Sequence, residues 1–272
     1  MSAGVPPPSP ARAHRRSAGA TLEPWRAALA GRDYYPTPPW ATRALTRLLL
    51  DDAPDGSLGR VWEPCAGSGH MADVLRESAA VVIADDLHAY DGFRQARAAF
   101  DLRGGVAPVD VARDGVDWIV TNPPFRLAAE VLTYSRFAAK GIALLAPLRW
   151  LTGEARFATV FSSPPPMRLC AFAERVAMVE GGWDPKAKTA DAHAWFVWRF
   201  DEATGWRSRR GHELQLIAPC RKTLTRADDW TRFAGRHAPD WAPPRLMRAH
   251  DDPGRARAAW AAEKFRHEAG HA

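Results

Sequence analysis

Asn122-Pro123-Pro124-Phe125 follows directly on the strand-like run Val116-Asp117-Trp118-Ile119-Val120-Thr121. Two prolines after a strand fix φ and remove two backbone donors. Pro123 also pushes Asn122 toward an extended conformation. The product is a rigid turn that presents acceptors, the Asn122 side-chain oxygen and the Pro123 carbonyl. A planar amine on an aromatic ring is a poor nucleophile, because its lone pair is delocalised into the ring. Accepting both of its hydrogens draws the nitrogen toward tetrahedral geometry and frees the lone pair to attack an electrophilic methyl. Preorganised acceptors of this kind contribute roughly 3–4 kcal/mol per well-placed group, and holding the reactants in line adds a proximity contribution. Phe125 offers a ring on which a planar base can stack, worth about 1–3 kcal/mol. A simple strand terminator would account for the asparagine and the prolines but not for the adjacent phenylalanine.

A second cluster is Glu63-Pro64-Cys65-Ala66-Gly67-Ser68-Gly69, at the end of an earlier apolar run. Glycines at the C-terminal end of a strand let a ligand approach the backbone closely. An ordinary strand-to-helix turn or a dinucleotide site would use similar residues. Against the dinucleotide site, Ala72 stands where the third glycine of G-x-G-x-x-G belongs, and Glu63 would repel a pyrophosphate. A carboxylate at the loop mouth suits a cationic ligand. Asp85-Asp86 closes the next apolar run, where an acid either accepts from ribose hydroxyls or caps a helix. Asp110 closes a third short run, where it is either an acceptor for an adenine amine or a turn residue.

These loops need elements to hold them. Apolar runs predict strands at 60–62, 80–84, 106–109, 116–120, 142–146, 168–172 and 194–200, with a further strand at 213–217. Helical periodicity predicts helices at 40–50, 70–78, 93–100, 127–139 and 155–161. Strands alternating with helices indicate a parallel sheet covered on both faces, an α/β fold. Residues 1–22 read as a disordered basic tail and residues 23–218 as the α/β domain. Residues 219–272 read as a charged, partly helical extension without a core of its own, with a last helix near 255–267.

The 272 residues carry a net charge of +6. The positive charge lies outside the centre: three arginines and no acid fall in residues 1–22, and residues 23–198 sum to −2. Basic flanks of this kind either attract phosphates or are solvated surface. Cys65, Cys170 and Cys220 stand far apart, so neither a zinc site nor a disulfide framework is suggested. No run is long enough to span a bilayer and no signal peptide is visible, so a cytoplasmic protein is expected.

Glu63-Pro64-x-x-Gly67-x-Gly69 combined with Asn122-Pro123-Pro124-Phe125 resembles the class I S-adenosylmethionine-dependent amino-methyltransferases, above all the N6-adenine DNA methyltransferases. Asp33-Tyr34-Tyr35-Pro36-Thr37-Pro38-Pro39-Trp40 resembles the N-terminal cofactor motif of the small phage and prophage enzymes of that group. So do residues 145–151 and 194–198, and the likeness spans roughly 33–218. The resemblance implies a Rossmann-like fold with a mostly parallel seven-stranded sheet, its last strand antiparallel and helices on both faces. It implies S-adenosylmethionine held by Tyr35, Thr37, Glu63, Ala66, Gly67, Gly69, Asp86 and Asp110. Asn122, Pro123, Pro124 and Phe125 would form the catalytic turn, acting on an adenine flipped out of DNA. No metal is implied.

The chain departs from the family in reading Pro-Cys-Ala-Gly where Pro-Ala-Cys-Gly is commoner, and in lacking a large target-recognition domain. Residues 173–192 and 201–242 are the candidates for DNA contacts, among them Trp183, Lys186, Lys188, Arg207, Arg209 and Arg210. Trp195 or Phe196 could sandwich the base opposite Phe125. The same turn serves RNA N6-adenine and N2-guanine methyltransferases and protein glutamine methyltransferases. A degenerate binding protein and a nicotinamide-dependent oxidoreductase are the readings from other classes.

Overall fold

The computed structural model describes residues 33–53, 55–90, 100–162, 165–201, 205–206, 213–233 and 236. The expected N-terminal tail, nearly all of the helix expected at 93–100, Arg207, Arg209, Arg210 and the helix expected at 255–267 lie outside the described residues.

Helix α1 (Pro39–Asp51) opens with proline in its first turn, where the missing N–H has no intrahelical partner to lose. Strands follow as β1 (Arg60–Glu63), β2 (Val81–Ala84), β3 (Val116–Thr121), β4 (Ala139–Pro147), β5 (Arg168–Phe172), β6 (His193–Asp201), the two-residue β7 (Gly205–Trp206) and β8 (Glu213–Ile217). The sheet order is β2-β1-β3-β4-β6-β5-β8, with β7 pairing only with β6. Pairs β1–β2, β1–β3, β3–β4 and β5–β8 are parallel, whereas β6 runs antiparallel to both β4 and β5. The reversed strand is therefore not the last in sequence, because β8 follows it and extends the sheet beyond β5.

Alternation along the strands builds a core on each face. Trp118, Val120, Ala143, Leu145, Trp195 and Val197 pack with Leu45 and Leu49 of α1 on one side. Ile119, Ile142, Leu144, Phe196 and Trp198 pack on the other, against α4 (Ala128–Ala138).

One expected strand does not form. Around 106–109 the chain leaves Val106 and Val109 75% and 81% exposed, and α3 (Val109–Asp114) begins right after Pro108. A four-residue run interrupted by a proline has too few donors to extend a ladder. The helix expected at 155–161 is a single turn, Glu154–Arg156, running into the π-helical turn Phe157–Phe161. No helix among the described residues is long and apolar enough to cross a membrane.

The described residues after 218 dock onto α1 and α2 (His70–Leu75) through α6 (Arg221–Leu224) and α7 (Asp229–Phe233). Arg43, 5% exposed, is the clasp. It donates to Glu77 twice at 2.9 Å, to Asp229 at 2.6 and 2.7 Å, and to the Leu224 carbonyl at 2.8 Å, which uses all five guanidinium hydrogens. Arg232 and Arg226 approach Glu77 from α7 and the loop before it, at 2.8 and 3.0 Å. Burial pushes the Glu77 carboxyl up, but hydrogen bonds from Arg43 and then Arg232 outweigh it and hold the group below its ordinary value.

Removing Arg43 leaves Asp229, 1% exposed, as an uncompensated buried charge. Arg43→Ala should lower unfolding free energy by about 3–5 kcal/mol in urea titrations at neutral pH. Because the folded pKa of Glu77 is depressed, its share of the stability is present above the unfolded value and lost as pH falls through the folded one. The gap between wild type and variant should therefore narrow in acid.

Candidate active site

The parallel strands β1, β2 and β3 end together at one edge of the sheet, and a cavity opens there. Segment 33–37 crosses this edge and forms one wall. The glycine loop after β1, the turn after β2, residues 100–103 and the turn after β3 complete it.

Two buried carboxylates line the cavity. Glu63 is 2% exposed, and its Oε2 has no hydrogen-bond partner among the described residues. Burial, followed by the nearby Asp86, pushes its carboxyl well above the ordinary value, which the Ala72 N–H opposes. Asp86, 8% exposed, accepts from the Gly67 N–H at 2.8 Å with one oxygen and from the His88 N–H at 2.9 Å with the other. Burial raises its pKa, and those two N–H groups oppose the rise. Asp86 thus pins the glycine loop while lining the cavity. Its neighbour Asp85 turns inward to accept from the Trp62 indole at 2.8 Å. The two acids that the sequence left open are separated by this geometry.

Gly67 has φ +54°, and a Cβ built there would lie 2.5 Å from the Tyr34 ring. Tyr34 is buried against the loop, with its hydroxyl hydrogen-bonded to Ser68. Burial holds that phenol above its ordinary value. Ala66 lines the cavity beside Gly67, whereas Gly69, at φ +81°, starts α2 from outside the lining.

Asn122 is held by its nitrogen. Nδ2 donates to the Tyr35 carbonyl at 3.0 Å, to Thr37 Oγ1 at 3.2 Å and to Met178 Sδ at 3.3 Å. A carbonyl cannot donate, so the amide orientation follows from chemistry. Oδ1 makes no hydrogen bond among the described residues, and Asn122 borders the cavity. Pro124 also borders it and accepts from the Leu127 N–H at 2.7 Å, which starts the 3-10 turn Phe125–Leu127. Pro123 is buried, and Phe125 packs partly buried against the core on the α4 side.

The structure thus brings Tyr35, Thr37, Glu63, Ala66, Gly67, Asp86, Asn122 and Pro124 to one cavity. It does not bring Gly69, Pro123 or Phe125 into the lining, nor Asp110, which sits in the first turn of α3 because the third strand is absent. Asp101 and Arg103 reach the cavity from that side instead. Hydrogen bonds from the Arg103 guanidinium, then its backbone N–H, lower the Asp101 carboxyl to about 2. The sequence signal was an acid directly after Phe100 and before Gly104-Gly105. Trp195 and Phe196 are fully buried on opposite faces of β6, and the Trp195 indole donates to the Ala41 carbonyl at 3.2 Å. Both are core. So is Trp183, packed with Phe233 and Tyr34. Lys186 and Lys188 are exposed, and Arg209 lies outside the described residues.

No family model matches the chain, and no curated protein matches it. A Listeria monocytogenes structure provisionally described as a class I S-adenosylmethionine-dependent methyltransferase is 11% identical, with 78% of this chain and 73% of that one covered at TM-score 0.50. A Pyrococcus horikoshii protein provisionally described as an RNA methyltransferase is 16% identical, covering 64% of this chain and 95% of its own, at TM-score 0.46. A modification subunit, provisionally of a type I restriction enzyme, from Vibrio vulnificus is 14% identical over 77% of this chain and 54% of its own, at TM-score 0.44. The chain has the class I methyltransferase fold.

Gly67→Ala should destabilise the protein by about 1–3 kcal/mol, because left-handed φ and the Tyr34 ring both oppose a Cβ. Thermal denaturation checks this. Gly56→Ala, also at positive φ but with nothing within 4 Å, separates the backbone cost from the collision with Tyr34.

Proposed function

We propose that this chain is an S-adenosylmethionine-dependent methyltransferase whose substrate is the exocyclic N6 amine of adenine in DNA. The observation that carries the reading is the Asn122 amide, anchored through Nδ2 with Oδ1 left to accept at the cavity. The residues present fit the cofactor. Glu63 is a buried carboxylate with one unsatisfied oxygen in the same cavity, which a cationic ligand would satisfy, and Gly67 provides close backbone approach. Glu63 and the Ala66–Gly67 loop would hold the cationic end. Asp86 would accept from the ribose hydroxyls, and Asp101 takes the place first given to Asp110 as acceptor for the cofactor adenine. Bound there, S-adenosylmethionine would supply an electrophilic methyl on a sulfonium, with a neutral thioether as the leaving group.

The protein's part is to prepare the nucleophile. Asn122 Oδ1 and the Pro123 carbonyl accept the two amine hydrogens of a flipped adenine, so its lone pair can form the new N–C bond. The surplus amine proton then leaves to water. Because three groups fix Nδ2, the amide need not reorganise as positive charge develops on the nitrogen. Pro123 and Pro124 keep the turn from relaxing.

Incubation of the protein with labelled S-adenosylmethionine and, in parallel, unmethylated DNA, total RNA and cell protein tests the reading. The expected product is N6-methyladenine in DNA, identified by nucleoside mass spectrometry. Label in RNA or protein would replace the substrate, and no transfer to any of the three would favour a binding protein. Asn122→Ala should lose about 10²–10³-fold in kcat while cofactor affinity is unchanged; equal loss of both would remove Asn122 from its role. Since the ionised Glu63 is the form that attracts a cation and its pKa is raised, cofactor affinity should fall as pH drops through that raised value. Calorimetric titration across the acid range should show the fall in wild type and a weaker, flat profile in Glu63→Gln.

A further inference from the structure

The stretch after residue 218 reaches further than the Arg43 clasp. Phe233, fully buried at the end of α7, lies against His70, the first residue of α2. Their ring centroids are 5.4 Å apart and their planes 26° from parallel. Trp183, in the connection between β5 and β6, meets the same phenylalanine edge-on at 6.3 Å. Tyr34, Val74 and Tyr90 complete this apolar cluster, with the Tyr34 and Tyr90 rings 4.6 Å apart.

The cluster backs onto the glycine loop through one hydroxyl. Ser68 is fully buried, and its Oγ is hydrogen-bonded to the Tyr34 hydroxyl, to His70 Nδ1 at 3.0 Å and to the Arg236 carbonyl at 3.4 Å. A serine hydroxyl has one hydrogen to give and two lone pairs. The carbonyl is the one partner of the three that can only accept, so Ser68 donates to it and accepts from the other two. The Tyr34 ring is in turn what a Cβ at Gly67 would strike. Contact therefore runs from Phe233 through His70, Ser68 and Tyr34 to Gly67. His70, Tyr34, Gly67 and Tyr90 all border the cavity, whereas Phe233 stands behind its lining. The far end of this chain of contacts is fixed separately: Arg43 holds Asp229 of the same helix, and the Arg236 guanidinium is bonded to Asp73 of α2.

Resting on the methyltransferase reading, we infer that the stretch after residue 218 positions the glycine loop for the cofactor, with Phe233 as the positioning residue. Phe233 sets the His70 ring and, through the Ser68 hydroxyl, the Tyr34 ring against which the loop at Gly67 is shaped. A loop already held in its binding shape does not have to be ordered when the ligand arrives, and Phe233 removes that ordering cost. The described residues after 218 thus serve the cofactor site from behind.

Calorimetric titration with S-adenosylmethionine, together with hydrogen–deuterium exchange of the peptide spanning 63–70, tests this on the full chain. Phe233→Ala should weaken binding at least about tenfold and speed exchange across that peptide. Phe233→Leu, which refills most of the space, should recover most of the affinity. Ser68→Ala removes the shared hydroxyl while leaving the ring packing, and it should weaken binding as well. Ile142→Ala opens a cavity in the core on the α4 side and should leave both readouts at their wild-type values, which separates positioning from a general loss of stability. Wild-type affinity in Phe233→Ala or, should that variant not fold, in Ser68→Ala would overturn the positioning role and leave the methyltransferase reading standing. Equal weakening in Ile142→Ala would do the same. No binding of S-adenosylmethionine by wild type would overturn the function and this inference together.

Discussion

The orientation of one side-chain amide organises the site. An asparagine presents an acceptor on one side only if its donors are consumed on the other, and here segment 33–37 does the consuming. The same segment lays Tyr34 under Gly67 and accepts a hydrogen bond from the Gly181 N–H through the Tyr34 carbonyl. A five-residue stretch without regular secondary structure therefore ties together the glycine loop, the turn after β3 and the connection between β5 and β6. Shifting it would misplace the cavity wall and the amide together.

The electrostatics point the same way. Glu63 and Asp86 are both buried at the cavity, burial raises the pKa of each and Asp86 raises that of Glu63 further, and only Asp86 has both oxygens engaged. Such an arrangement is unfavourable to the empty fold. It persists because the surrounding structure over-determines it, with two well-packed sheet faces and a guanidinium that satisfies all of its donors. The strained part is small and local, and the stabilising part is distributed.

Much of the site was legible because its residues are dictated by backbone chemistry. Prolines after a strand and glycine at positive φ carry their structural meaning in their identity, so the turn at Asn122 and the loop at Gly67 could be read without a structure. Reading failed where meaning depends on neighbours distant in sequence. Asp110 was placed on a strand that needed a pairing partner, and Pro108 prevented one. Trp195 or Phe196 read as the ring facing Phe125 across a base, but they point to opposite faces of β6 and both faces are covered. The anchoring of Asn122 by Met178 and the docking of α6 and α7 through Arg43 join residues 56 and 186 positions apart, and no local pattern announces either. The position of the reversed strand was hidden for the same reason, since β8 adds to the sheet after it.

That reversed strand bears on how the chain is made. β6 lies between β4 and β5 and bonds to both, yet it is synthesised after them. When β4 has left the ribosome, its Ile142–Ala146 run can pair with β3 on one edge but has nothing on the other. The missing neighbour is complete only at Asp201, 54 residues past Pro147, which at ordinary elongation rates is a wait of roughly 3–11 s. Throughout that interval the nascent chain carries an open, fully apolar strand edge, of the kind that templates pairing with other chains. The same β6 that completes the sheet is what closes that edge, and slower translation would lengthen its exposure.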